Sequence, residues 1–490
     1  MLRPVGHIIE ASVVDPTSSL VAYYRSPQVR ARIAEYCGGS ASDPASFSAC
    51  NLAAYGGREG RHQREGAPAL EPASAFFRLL EEGADVCRSI DDRFGLLVQL
   101  DVDYVHPADP AEPYHAPYHC FARLEPVYQE VRRAFAACGL HPLALITGRG
   151  YHFTVRVPEG SALYGELLAA GRPADALRAR DLRRSLLRPS LPPHGQAHDG
   201  AGRLLQHLAH EVLRALRGRT EVPVTVADVA PPGRGPFVCL DLSAYGDPLE
   251  VRNARCAFSA NQKPAQSHVP DAHPFVIVLP RRGATLLELL EAREDPSLAA
   301  QLSARESAVI PDAPTAPGWA AAYRRSAEAS FDAAFDEGPS SPPAHWDRRA
   351  HPGGWAVPAC VRMPLELPNP HLMMPVYLRS VTLGLWSMGW HPRAIAELVS
   401  DRYRQEEHGW GDLWDRYEPA TRARFYVRLF ASLAHCGLDT AEEFTCASQV
   451  ARGACPAVAC GFDLARLFGE LPLDAPPLAG APARRRRTGA

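Results

Sequence analysis

The chain has 490 residues, 46% apolar and 22% charged, with a net charge of −3 at pH 7. That length predicts two or three domains, and the near-neutral balance excludes a chain that is basic throughout, so any nucleic-acid surface must be local. No apolar run reaches about 18 residues and no signal peptide opens the chain, which predicts a soluble, cytoplasmic protein with no membrane partner.

In chain order, apolar spacing predicts a helix over residues 20–36, a Gly/Ser/Ala-rich loop to about residue 68 and a second helix over 73–90. An apolar strand follows, Leu96 to Tyr104, and it carries Asp101 and Asp103. Side chains at i and i+2 of a strand share a face, so two carboxylates stand side by side. Close like charges repel unless a cation lies between them, and Mg²⁺ or Mn²⁺ accepts carboxylate oxygens together with substrate phosphates. After a Pro-rich loop, residues 121–138 read as an amphipathic helix. Strands are expected at Pro142–Ile146 and Tyr151–Val155, joined through Thr147-Gly148-Arg149-Gly150. Two glycines permit close backbone approach to a ligand. Arg149 and His152 offer donors to a phosphate.

Residues 160–230 read as helical with a loop around 189–202. Next comes a strand, Phe237-Val238-Cys239-Leu240-Asp241, ending in a third carboxylate, and then Arg255-Cys256-Ala257-Phe258-Ser259-Ala260-Asn261-Gln262-Lys263. Asp247, in a loop-like Tyr-Gly-Asp-Pro, is the weaker alternative to Asp241. Lys263 is the single lysine among 52 basic residues, which suggests that a compact ammonium is wanted there. Three acids at strand ends, a Gly/His turn and a cationic run form a set suited to two-metal nucleotidyl transfer.

The order Asp-h-Asp, Gly-x-Gly-x-His, h-Asp and Arg-x3-Ser-x-(His)-x-Lys resembles the catalytic small subunit of archaeal and eukaryotic primases, a superfamily that includes primase-polymerases. The resemblance covers roughly residues 20–280. It implies Asp101, Asp103 and Asp241 as ligands of Mg²⁺ or Mn²⁺, and Arg149, His152, Arg255, Ser259, Asn261 and Lys263 as nucleotide contacts. Asn261 stands where many members have histidine. Residues 139–238 contain no cysteine, so no zinc knob is expected there.

Residues 301–354 read as a linker with one short helix at 318–335, because Pro-rich runs flank it. From residue 355 the chain reads as helical, with segments at Leu378–Met388, Pro392–Tyr403 and Thr421–Ala434. Twelve cysteines are too sparse for a disulfide scaffold, yet Cys446, Cys455 and Cys460 fall close together. Three such thiols point to a metal site that needs a fourth ligand, and either Cys436, beside His435, or the distant Cys360 qualifies. The order Pro-x-Cys, a helical body, then Cys-x8-Cys-x4-Cys resembles the C-terminal domain of the primase large subunit over roughly residues 355–468. That resemblance implies a [4Fe–4S] cluster held by Cys360, Cys446, Cys455 and Cys460, with Zn²⁺ the competing occupant of the same thiolates. Tyr403, Arg404, Arg422, Arg424 and Tyr426 are candidate nucleic-acid contacts, or an ordinary helix face. The tail, 471–490, carries Arg484 to Arg487 and is expected to be disordered.

The expected fold is α+β: residues 1–300 form a catalytic domain whose mixed, largely antiparallel sheet carries the acids between helices, and residues 355–470 form a mainly helical domain. The expected activity is a primase or primase-polymerase acting on a single-stranded DNA template with NTPs or dNTPs, serving beside a replicative helicase or polymerase. The alternatives are a primer-dependent repair or end-joining polymerase and a non-catalytic, replication-associated DNA-binding protein.

Overall fold

The computed structural model describes residues 16–55, 69–187, 194–267, 269, 272–280, 283–339, 357–366, 368–439, 444–455 and 460–471. The expected tail with its four arginines lies outside these residues, apart from Leu471.

Among the described residues eleven strands run in chain order: β1 Leu52–Tyr55, β2 Ala69–Glu71, β3 Asp85–Ser89, β4 Asp91–Asp92, β5 Gly95–Val105, β6 Leu143–Ile146, β7 Gly150–Pro158, β8 Val224–Val226, β9 Phe237–Asp241, β10 Asn253–Arg255 and β11 Ile277–Val278. They build two sheets. The larger has the order β11-β6-β7-β5-β9-β8, with β4 also paired to β5; the smaller has the order β10-β3-β1-β2. Every pairing is antiparallel except β8 with β9. The fold is α+β.

The long strand β5 is the axis of the larger sheet. Its first residues are buried on both faces, but from Val98 onward burial alternates. Leu100, Val102 and Tyr104 enter the core while Gln99, Asp101 and Asp103 are half-exposed on the opposite face. That is the period of a strand with one covered face. On the covered side of β7, the Pro117–Ala137 helix lays Phe121, Tyr128 and Phe135 against Tyr151 and Phe153, with ring centroids 4.6–6.0 Å apart. His152, between those two aromatics, therefore points to the face of the acids.

Two predicted helices break where local chemistry overrides apolar spacing. The 20–36 segment is two helices, Pro16–Tyr24 and Pro27–Tyr36. Ser26 caps the second by accepting from the Val29 N–H, and Pro27 takes its first turn, a position that disfavours helix in the residue before it. The 73–90 segment is helical only over Phe76–Glu81 after a short 3₁₀ turn at Ala73–Ala75. Gly83, at φ +70°, reverses the chain into β3, which completes the smaller sheet between β1 and β10.

The expected linker is folded over most of its length. Helices Pro317–Arg324 and Ala327–Glu337 bury Trp319, Phe331 and Phe335, and the Trp319 indole N–H donates to the Leu204 carbonyl at 3.1 Å. Arg156 pairs with Asp312 at 2.6 Å. Residues 340–356, the rest of that segment, lie outside the described residues. Beyond them every described element is helical, with Ala359–Leu365, Pro375–Ser387, Pro392–Tyr403 and Pro419–His435 the main members. Buried apolar side chains form one continuous core from Leu20 to Leu471. Among the described residues no helix is long and apolar enough to cross a membrane.

Candidate active site

Register places the three acids together. In β5, Asp101 stands opposite His152 of β7 on one side and Asp241 of β9 on the other; one pleat along, Asp103 stands between Gly150 and Cys239. Directly paired residues project to the same face, so three carboxylates and one imidazole share a patch of sheet.

Each carboxylate has its own partner. Gln99 Nε2 donates to Asp101 Oδ1 at 2.7 Å, and His152 Nε2 lies 3.5 Å from the same oxygen. Arg149 donates twice to Asp103 Oδ2, at 2.6 and 3.0 Å. The Ser243 backbone N–H donates to Asp241 Oδ1 at 2.7 Å. Burial, with the fields of Asp103 and Asp241, pushes the Asp101 carboxyl up to about 6 against the pull of His152. Burial acts on Asp103 in the same direction, but the Arg149 guanidinium outweighs it and holds that carboxyl below its usual range. Adjacent acids are thus driven apart in basicity, as at sites that bind a cation or move a proton.

A cavity of about 320 Å³ opens over this patch. Asp101, Asp103, Arg149 and His152 line one side, and Arg255, Asn261 and Lys263 line the other. Asp241 stands beside Asp101 on the next strand. Burial and the nearby Arg149 and Arg255 pull the Lys263 ammonium below its ordinary value. The turn between β6 and β7 requires both of its glycines. A Cβ at Gly150 would fall 1.9 Å from the Val102 carbonyl oxygen, and one at Gly148 would fall 2.6 Å from Asn261 Nδ2. Of the predicted nucleotide contacts, Ser259 alone is outside the cavity. It is fully buried, its hydroxyl accepts from the Val86 N–H at 2.7 Å, and it latches the loop to β3.

Three residues outside the sequence-based expectations hold the site in place. Asp85, fully buried on β3, receives Arg255 Nη1 at 2.5 Å and both the backbone and side-chain N–H groups of Gln262 at 2.7 and 2.9 Å. It thereby fixes the loop that presents Asn261 and Lys263. Arg293, also fully buried, donates to the carbonyls of Thr147 (3.0 Å) and Gly148 and lies over the Tyr114 and Phe121 rings, bracing the glycine turn from behind. Gln99 is the third, and strand period alone would have found it two residues before Asp101. Asp247, the weaker alternative acid, is not at the cavity: it is buried in ion pairs with Arg252 and, at 3.3 Å, with Arg422.

The structure also brings Cys360, Cys446, Cys455 and Cys460 near one another. Burial pushes the Cys360 thiol up to about 12, and Cys455, Cys446 and Cys460, in that order, add to the shift, so all four lie within one electrostatic neighbourhood. The Tyr377 hydroxyl straps their loop to the Pro375–Ser387 helix by donating to the Gly453 carbonyl at 2.8 Å. Cys436 belongs elsewhere, against Glu328. Among the described residues no three of the four thiols lie within 4.8 Å of one another.

The helix-face candidates for nucleic acid are mostly internal. Tyr403 is buried and donates to the Leu372 carbonyl at 2.6 Å, Tyr426 is buried, Arg422 is paired with Asp247, and Arg424 is paired with Glu397 at 2.8 Å. Of the five, only the Arg404 side chain is well exposed, at 46%.

Compared with known family models, curated proteins and solved structures, the chain returns no match.

Proposed function

We propose that this chain is a template-directed nucleotidyltransferase, a primase or primase-polymerase that joins nucleotides on single-stranded DNA. The observation that carries the reading is the register His152–Asp101–Asp241 with Asp103 one pleat away, facing a cationic wall across the cavity.

The donor set fits hard divalent ions. Asp101, Asp103 and Asp241 supply carboxylate oxygens on one face, and the Asp101 carboxyl is raised first by burial and then by the fields of Asp103 and Asp241, a repulsion that a cation relieves. Mg²⁺ or Mn²⁺ held there would activate the attacking 3′-hydroxyl and neutralise charge on the transferred phosphate. The remaining work falls to the chain's own side chains. Arg255, Lys263 and His152 face the space a triphosphate would take, and they orient it and balance its charge. Arg149, half-exposed and paired with Asp103, can exchange that carboxylate for a phosphate. Asp85 and Arg293 act on positioning alone, because neither reaches the cavity.

Incubation with single-stranded DNA and no primer, using labelled NTPs and dNTPs separately with Mg²⁺ or Mn²⁺, tests the reading. Short products are expected. Extension of an annealed primer alone would make the protein a primer-dependent polymerase of the same chemistry. No incorporation in either format would overturn the catalytic reading in favour of a DNA-binding protein.

We propose further that Cys360, Cys446, Cys455 and Cys460 hold a [4Fe–4S] cluster; the shared electrostatic neighbourhood of the four thiols supports the reading. Protein purified without oxygen is expected to be brown, with broad absorbance near about 400 nm. Cys455→Ser should lose the colour and the bound iron. A colourless wild type with one zinc on four sulfurs would reverse the assignment.

A further inference from the structure

We propose that His210, Glu328 and Cys436, with His207 beside them, form a zinc site that clasps the C-terminal helices to the catalytic half. The inference stands apart from the nucleotidyl-transfer reading and uses none of its residues.

His207 and His210 lie one turn apart on the Gly195–Leu216 helix, so both imidazoles face the same way. Glu328 comes from the first turn of the Ala327–Glu337 helix, and Cys436 ends the Pro419–His435 helix. Candidate ligand atoms of His210, Glu328 and Cys436 all lie within 4.8 Å of one another. His210 Nδ1 is 3.0 Å from Glu328 Oε1, and His207 Nδ1 is 3.5 Å from Oε2. A tetrahedral zinc with bonds of about 2.0–2.1 Å to nitrogen and oxygen sets neighbouring donors about 3.3 Å apart, and the His210 Nδ1–Glu328 Oε1 separation is close to that value.

Burial supports a ligand over a solvated cluster. His210, Glu328 and His207 are 0%, 2% and 7% exposed. Yet His207 Nδ1 is buried with no hydrogen bond, its neighbour Glu328 Oε2 standing off at 3.5 Å, and such a group is costly to leave unmet. Arg214 Nη2 donates to Glu328 Oε1 at 2.6 Å. That leaves Oε2 turned toward His207, as when an outer partner orients a ligating carboxylate. Imidazole, carboxylate and thiol together suit zinc; Mg²⁺ and Ca²⁺ take oxygen donors alone. Binding would release the Cys436 thiol proton to solvent as the thiolate forms.

Metal analysis and zinc-edge X-ray absorption on the full chain, dialysed against a weak chelator, test the site. One zinc per chain is expected, with one sulfur at about 2.3 Å and the remaining ligands nitrogen or oxygen at about 2.0–2.1 Å. Cys436→Ser and His210→Gln should each lose that equivalent, and Cys455→Ser should keep it. A wild type without such zinc overturns the proposal, whether it is zinc-free or holds zinc on four sulfurs. So does a folded Cys436→Ser variant that retains the full equivalent. Because the wild-type spectrum alone decides the ligand set, misfolding of a variant leaves the test intact.

Discussion

Asp101→Asn is expected to lower nucleotide incorporation by at least about 10³-fold and, in metal-free buffer, to make the protein more stable. Both effects come from the same crowding. Asp101 is ionised at neutral pH beside two other carboxylates, and burial with their fields lifts its carboxyl from 3.8 to about 6. A folded-state value above the unfolded one means that the fold prefers the protonated acid. Stability contributed by Asp101 is therefore highest below about pH 4 and declines as pH rises toward about 6. A shift of that size corresponds to about 3 kcal/mol. The side chain is 31% exposed, so screening reduces the expected gain to about 1–2 kcal/mol, or about 1–4 °C in Tm. Asp103→Asn should be equally inactive but slightly less stable, because Arg149 loses its carboxylate partner. Thermal melts at pH 4 and pH 7, paired with the primer assay, separate the cases. A structural acid would show the reverse at Asp101: lost stability and retained activity.

Arg203→Met is expected to destabilise the whole chain by about 3–5 kcal/mol. Arg203, on the Gly195–Leu216 helix, is 4% exposed; it donates to Asp336 at 2.8 and 3.1 Å and to Asp199 at 3.1 Å, with Asp332 at 3.8 Å. Asp332 is also paired with Arg428 of the Pro419–His435 helix at 3.1 Å, both 3% exposed. Removing the guanidinium strands carboxylates that folding has already desolvated. Since the network joins the sheet domain, the 317–337 helices and the C-terminal helices, all three should unfold together. Far-UV circular dichroism and tryptophan fluorescence should trace one coincident transition. Two separated transitions would show that the halves are independent.

The comparison between sequence and structure follows from what each kind of interaction leaves in the chain. β5, β6, β7 and β9 are legible because apolar runs of strand length end in turn residues, and Asp101 with Asp103 follows from strand period. That Asp241 and His152 flank Asp101 on either side depends on register, which no local pattern states. β3 is concealed because Phe76 to Ile90 carries apolar residues at spacings a helix also satisfies, and Gly83 is a single-residue signal. Asp85 is lost with it. Arg293 is unreadable for a different reason: the carbonyls it braces lie about 145 residues earlier. The 301–354 segment looks like coil because its prolines dominate the pattern, whereas Trp319, Phe331 and Phe335 decide the packing. Conversely, the arginines and tyrosines of the C-terminal helices look like a binding face, and the structure spends most of them on internal pairs.

The solitary lysine has an experimental corollary. Lys263 lines the cavity and is the one side-chain amine in 490 residues. Burial and two guanidinium groups lower its basicity, so more of it is unprotonated near neutrality than of an ordinary lysine. An amine-selective acylating reagent would therefore modify the folded protein at this position and at the chain's α-amino group. Protection of that adduct by added triphosphate would give an occupancy assay that needs no turnover, no template and no engineered label.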